Sequence, residues 1–237
     1  MPLKINDLES ARFGIVAARL TDPAAPLAQV NAAARALAVQ MVTARVDSAD
    51  LRRVQELEDD GYRLMDTLVW YGRELVDLPE IGISPKGETI RRATPEDAKI
   101  VANVAREAFA GYYGHYHSDP RLSADAADAA YVEWAESSVA RCTDSRPVLV
   151  AVVDDRIVGF LTLDLEAAEI VLNAVIPGEQ GKGTYGRLID RALATGRKAG
   201  LTCLAVSTQL NNLAPQRAWV RRGFRMQRSL HTLHKWF

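Results

Sequence analysis

The stretch AVIPGEQGKGTYGRLI, residues 174–189, constrains this chain more than any other. An apolar strand (AEIVLNAVIP, 168–177) runs into a glycine-rich turn, and the turn runs into a helix that Gly200 closes. Glycines at 181 and 183 let the backbone take unusual dihedrals and approach a ligand closely. The first N–H groups of the helix have no partner inside it, and the helix dipole adds partial positive charge there. Such a turn suits an anion, above all a pyrophosphate. It is not a P-loop, because no GKS or GKT follows four spacer residues, and no GxGxxG is present. On its own the turn also fits a tight corner that holds nothing.

Composition narrows the partners. The chain has 237 residues, 48% hydrophobic and 25% charged, and a net charge of −1. That is enough for one large or two smaller domains, and nothing in the charge suggests a nucleic-acid surface, so no nucleic-acid partner is expected. No apolar run is long enough for a membrane span, and MPLKINDLES lacks the apolar region of a signal peptide. Cys142 and Cys203 have no CxxC spacing, and the four histidines form no HExxH, so neither a disulfide framework nor a metal site is expected. A reduced, cytoplasmic protein is the simplest expectation.

Strand and helix patterns alternate along the chain, which predicts an α/β protein. The first third reads as strand 13–21, helix 26–40, strand 41–47, a helix after Ser48 and strand 63–74. LVDLPEIGISPKGE has two prolines, two glycines and no period, and reads as a linker. We therefore expect a domain over 1–76, a linker over 77–88 and a second domain over 89–237. In the second, Thr94 and Pro95 open a helix, HYHSDPRLS (115–123) reads as an irregular loop, and SADAADAAYVEWAESSVAR as a helix. VLVAVVDDRIVGFLTLDL (148–165) is a hairpin about Asp-Asp-Arg. Segments 54–70 and 216–233 share a plan: helix, Gly plus aromatic, strand. Leu230, Leu233 and Trp236 give the last strand an apolar alternation that suits pairing with a second subunit.

The turn and its flanks resemble the GNAT superfamily of acyl-CoA-dependent N-acyltransferases. Its signature is a Q/R-x-x-G-x-G/A turn after a strand ending in V-x-P. Here Gln180, Gly181, Lys182 and Gly183 stand in register, and Tyr185 replaces the last small residue. NNLAPQRAWVRRGF resembles the family's N-x-x-A-x-x-x-Y-x-x-x-G-F element, with Trp219 at the tyrosine position. The resemblance covers about residues 88–237. It implies a GNAT fold: a mixed, mostly antiparallel sheet with helices on both faces and a V-shaped opening, preceded by a smaller partial GNAT-like domain. A partial copy without a glycine-rich turn implies a structural role.

The same resemblance implies acetyl-CoA as cosubstrate and no metal. Asn173, Ala174, Val175 and Ile176 would flank the thioester, with the amide after Asn173 donating to its oxygen. Gln180, Gly181, Lys182, Gly183, Thr184 and Tyr185 would hold the pyrophosphate through backbone amides. Asn212 and Trp219 match positions near the cofactor arm. An indole N–H is a donor but no proton-transfer acid, so a solvent proton or the Tyr185 phenol is left to protonate the departing thiolate. Glu169 is the candidate base, since a carboxyl in a partly apolar cleft accepts a proton more readily. His117, or His115, is its rival. Cys203 has no nearby base in its motif, so direct attack in a ternary complex is expected. The N-terminal third, the HYHSDPRLS loop and the Tyr131–Trp134 helix resemble enzymes that acylate the 4-amino group of nucleotide-linked 4,6-dideoxy sugars. His115, Tyr116, His117 and Asp119 would then line the acceptor pocket, with Asn173 orienting the acceptor. Other amines (a polyamine, an aminoglycoside, a peptide) and a non-catalytic acyl-CoA-binding module are the alternatives.

Overall fold

A computed structural model describes residues 1–78, 85 and 87–237, so most of the expected linker lies outside the described residues. The elements are β1 (Leu3–Ile5), α1 (Asp7–Phe13), β2 (Ala17–Leu20), α2 (Leu27–Ala36), β3 (Met41–Asp47), α3 (Leu51–Asp59) and β4 (Arg63–Glu74). They continue with β5 (Glu88–Arg92), α4 (Ala98–Ala108), α5 (His115–Ser118), α6 (Ala124–Ala140), β6 (Val148–Val153) and β7 (Arg156–Asp164). The rest are β8 (Glu169–Val175), α7 (Thr184–Lys198), β9 (Cys203–Gln209), α8 (Leu213–Val220) and β10 (Arg225–Trp236). Among the described residues no helix is long and apolar enough to cross a membrane.

The described residues form two compact units that interleave in sequence. The first takes Met1–Val69, Tyr113–Ala127 and Arg228–Phe237; the second takes Trp70–Tyr112 and Asp128–Gln227. The domains expected from sequence, 1–76 and 89–237, are each contiguous. Only tertiary pairing places 113–127 and the last ten residues with the first unit.

In the first unit the strand order is β1-β2-β3-β10-β4. β3 runs parallel to β2 and antiparallel to β10, with Leu230 opposite Asp47 and Trp236 opposite Met41. Both faces are covered. Val42, Ala44, Val46 and Leu233 pack with Val30 and Ala34 of α2 and Val54 and Leu57 of α3. On the other face Met41 packs with Ala17, Leu122, Tyr116 and Trp236. β10 has strands on both sides, so the strand that suggested a dimer has no free edge for a second subunit.

Local chemistry explains most element ends. Asp50, rather than the expected Ser48, caps α3 by accepting from Arg53 N at 3.1 Å. α1 lies where the first strand was expected to begin. Asn6 accepts from Glu9 N at 3.3 Å, and Gly14 ends the helix at φ +65°. The apolar run of 13–21 conceals that boundary, and β2 keeps only its second half. HYHS forms one helical turn, α5, instead of an irregular loop.

Asp119 anchors the segment that follows. It accepts from His234 Nδ1 and Trp236 Nε1, both at 2.9 Å. Burial pushes its carboxyl up, but these bonds outweigh burial and hold it at about 2. A depressed carboxyl pKa stabilises the fold above the unfolded value, about 3.9, and loses that effect as pH falls through about 2. The Tm should therefore drop steeply between pH 4 and 2, and Asp119→Asn should flatten that part of the curve.

In the second unit the order is β4-β9-β8-β7-β6-β5. β5 to β8 are antiparallel, while β8 and β9 are parallel. Phe160, Leu172 and Ala174 point to the side of α4 and α6, where Val101, Ala105, Ala135 and Val139 meet them. Gly159 points to the opposite side, where an added Cβ would lie 3.3 Å from Leu188 of α7. This is a mixed GNAT-type sheet with helices on both faces.

Candidate active site

The opening forms where a bulge meets a parallel pair. β8 pairs with β9 only at Glu169↔Ala205 and Ile170↔Val206. Immediately after, the β7–β8 register shifts, so that Ile170 faces Leu163 and Leu172 faces Thr162. Val171 is the extra residue, and Thr162 Oγ1 accepts from Leu172 N at 2.9 Å. A bulge bends its strand and breaks the ladder. Beyond it β8 runs to Val175 with no further pair to β9.

The ladder also sets which amides face the opening. Ile176 N donates to Val158 O at 2.9 Å. Opposed pairs in an antiparallel ladder alternate between bonded and non-bonded. Counting back, Ala174 bonds β7, whereas the N–H and C=O groups of Asn173 and Val175 face the β9 side. The Ala174 amide, expected to serve as the thioester donor, therefore faces β7 rather than the opening. Ala174 and Val175 are 8% and 4% exposed, so they offer the opening backbone rather than side chain.

The turn is held from within. Gln180 Nε2 donates to Val175 O at 3.0 Å. Gly181 and Gly183 sit at φ +77° and +87°, and Gly183 caps α7 with no side-chain hydrogen bond to the first turn. The α7 amides are thus left to a ligand. Both nearby cations have carboxylate partners. Lys182 Nζ lies 3.0 Å from Glu179 Oε1 on the surface. Arg187 grips Glu88 through two nitrogens, one at 2.6 Å, and also donates to Lys182 O and Thr184 Oγ1. An exposed pair such as Lys182–Glu179 is weak and exchanges easily for a phosphate. Thr184 is 1% exposed, so it packs beneath the turn.

Tyr185 and Trp219 meet. Trp219 Nε1 donates to the Tyr185 hydroxyl at 2.8 Å, and that hydroxyl donates to Asn173 Oδ1 at 2.7 Å. Asn173 alternates with Ala174, so its side chain emerges on the α7 side of β8. Burial raises the phenol pKa, and the bond from Trp219 only partly opposes this. The indole is 1% exposed and tilts against Tyr71 with ring centroids 5.5 Å apart. Tyr71 donates to Gln216 Oε1, whose amide Nε2 ties down Gln209 O, Leu210 O and Asn212 O. Asn212 Nδ2 in turn donates to Thr208 Oγ1 at 3.0 Å. Gln216, Glu88 and Arg187 were not singled out from sequence; no motif marks them.

The remaining candidates fall in two places. Glu169 opens β8, just before the bulge, and accepts from Ser207 Oγ at 3.4 Å. Cys203 opens β9 as a free, partly buried thiol. His115, Tyr116, His117 and Asp119 all belong to the first unit. His115 and Asp119 are buried there at 7% and 3% exposure, and the Tyr116 hydroxyl donates to Glu9 at 3.0 Å. His117 Nδ1 accepts from Gly114 N at 3.3 Å.

A parallel strand pair that opens after a bulge, followed by a glycine turn into a helix, fits the site that the resemblance to GNAT acyltransferases implies. The acetyltransferase (GNAT) family matches residues 105–224 of the 237, and the chain belongs to that family of acyl-CoA-dependent N-acetyltransferases. It is 26% identical over 230 residues to a dTDP-fucosamine acetyltransferase of Escherichia coli O6:H1, covering 96% of this chain and 95% of that one. It is 28% identical over 146 residues to the spore coat polysaccharide biosynthesis protein SpsD of Bacillus subtilis, covering 60% of this chain and 48% of that one. A GCN5-related N-acetyltransferase from Sphaerobacter thermophilus shares the fold at TM-score 0.70 and 15% identity, covering 99% of this chain and 76% of that one.

Proposed function

We propose that the chain moves an acetyl group from acetyl-CoA to the amino group of a nucleotide-linked amino-dideoxy sugar, by direct attack in a ternary complex. The observation that carries the transfer is the bulged, unpaired run of β8 ending in the amide-lined turn. The names of the two relatives support a sugar acceptor.

The residues divide the work as follows. The amides of residues 181–185 hold the pyrophosphate, and Lys182 exchanges Glu179 for it. The backbone of Asn173 and Val175 lines the cofactor arm, and an amide there bonds the thioester oxygen as negative charge grows on it. The neutral amine attacks the carbonyl carbon, and the C–S bond breaks as the new C–N bond completes. The Tyr185 hydroxyl turns from Asn173 to give its proton to the departing thiolate. Trp219 takes part through Tyr185, because its N–H steadies the phenolate that remains. Glu169 receives the amine proton, directly or through water; His117 is the rival base. Asn212 positions the cofactor arm from the start of α8.

The test follows free thiol release from acetyl-CoA with a panel of dTDP-4-amino sugars, polyamines and peptides. Turnover with the sugars alone supports the proposal. Acetyl-CoA binding without turnover on any amine points instead to a binding module, and no binding at all removes the turn assignment. For the base, Glu169→Gln should lower kcat by about 10²-fold or more at neutral pH, the range general bases contribute, while acetyl-CoA affinity stays constant. If kcat instead follows His117→Gln, the base is His117.

A further inference from the structure

Glu88 and Arg187 form an ion pair that the transfer steps do not use. Glu88 opens β5, and Arg187 lies in the first turn of α7, 99 residues later. Both belong to the second unit. The Glu88 side chain is 6% exposed and that of Arg187 22%. Arg187 Nε donates to Glu88 Oε1 at 2.6 Å, and Nη2 donates to Oε2. Burying such a pair adds little net stability, because desolvation offsets the attraction between the charges. What the pair does fix is the direction of the guanidinium.

That direction is toward the glycine-rich turn. A helical side chain leans over the turn before its own Cα, so Arg187 reaches back along the start of α7. Nη2 also donates to Lys182 O at 3.2 Å and to Thr184 Oγ1 at 3.3 Å, and Thr184 Oγ1 donates to Glu88 Oε2 at 3.4 Å. Nη1 lies over Gly183, 2.6 Å from where a Cβ would stand. Among the described residues the bonds of Arg187 use Nε and Nη2, and none uses Nη1. We propose that Arg187 binds the pyrophosphate of acetyl-CoA, donating from Nη1, and that Glu88 is the positioning residue that aims it. This rests on the acetyl-CoA reading above and adds two residues to it.

The chemistry suits a phosphate oxygen. A guanidinium is planar and carries five N–H donors in a fixed fork, so one edge can hold a carboxylate while another meets a phosphate. Glu88 cancels the charge of Arg187 at close range, so the contact supplies a directed hydrogen bond more than long-range attraction. It stands beside the α7 amides that the Gly183 cap leaves without a side-chain partner. An ammonium at the same position is a point charge and could not serve both partners at once.

Calorimetry on the full chain tests this with acetyl-CoA, its 3′-dephospho form, and acetyl-pantetheine, which has no phosphate and is titrated into the millimolar range. Arg187→Met alone leaves Glu88 buried and unpaired, so Tm should fall. Combining it with Glu88→Gln removes both charges and should recover Tm. In that double variant Kd should rise about tenfold for acetyl-CoA and equally for the dephospho form, the lower worth of one charge-assisted hydrogen bond. Acetyl-pantetheine should bind as it does to the wild type. Glu88→Gln alone should cost about as much, and Arg187→Lys should not restore affinity. An equal loss for all three probes shows the pair to be structural. A loss for acetyl-CoA alone assigns Nη1 to the 3′-phosphate. Tighter binding in Glu88→Gln shows that Glu88 restrains Arg187 rather than aiming it. Each of these overturns the inference, as does unchanged acetyl-CoA affinity in the double variant, and all leave the acetyl-CoA reading standing. A wild-type protein that binds no acetyl-CoA removes both.

Discussion

Tyr185→Phe is expected to lower kcat by about 10²-fold, the lower range for a proton donor, and to leave the acetyl-CoA Kd unchanged. The phenol hydroxyl lies between Trp219 Nε1 and Asn173 Oδ1, at 2.8 and 2.7 Å, beside the strand proposed to flank the thioester. Phenylalanine keeps the ring packing and removes only the donor. Burial raises the phenol pKa, so the hydroxyl stays protonated across the working range and no loss of rate from its ionisation appears below pH 10. Trp219→Phe provides the companion measurement. It keeps an aromatic ring against Tyr71 but deletes the N–H that steadies the phenolate, so kcat should fall less than in Tyr185→Phe. The double variant should be no slower than Tyr185→Phe alone, because the indole acts only through the phenol. An unchanged kcat in Tyr185→Phe assigns thiolate protonation to solvent.

Gly183→Val is expected to raise the acetyl-CoA Kd by about tenfold or more and to spare kcat at saturation. The residue sits at φ +87°, where a β-branched side chain costs about 1–2 kcal/mol. An added Cβ would also lie 2.6 Å from Arg187 Nη1. Arg187 can shift only by disturbing its bonds to Glu88 and Lys182 O. The damage thus falls on the amides proposed to hold the pyrophosphate, not on the proposed proton donor. Lys182→Ala is the control. Its ammonium is exposed and paired with Glu179, so the loss should stay within a few-fold. A Kd unmoved in Gly183→Val places the pyrophosphate elsewhere.

Much of the second unit is legible in the sequence because its signals are local. β6 and β7 are continuous apolar runs about an Asp-Asp turn, and both aspartates do take positive φ. The turn at 180–185 declares itself through two glycines. What is not legible depends on distant partners. Tyr185 and Trp219 each stand out as a departure from the GNAT pattern, but their bond spans 34 residues. The paired departures are themselves a signal: an aromatic hydroxyl missing at 219 reappears at 185. The HYHSDP segment reads as polar loop because its charges and rings suggest solvent. Asp119 and His115 are buried instead, through bonds and contacts to β10, more than 110 residues away.

The place of β10 in the first unit has a consequence for synthesis. β3 needs Leu230–Trp236 on its open side, and Asp119 needs His234 and Trp236. Leu230 leaves a ribosome more than 180 residues after Asp47, its partner on β3. The N-terminal third therefore cannot close as it emerges. It waits with an unpaired apolar strand edge, the kind of surface that chaperones bind and that aggregates when released early. Deleting Arg228–Phe237 should trap the chain in that state, so soluble yield will be set by β10 rather than by the catalytic module.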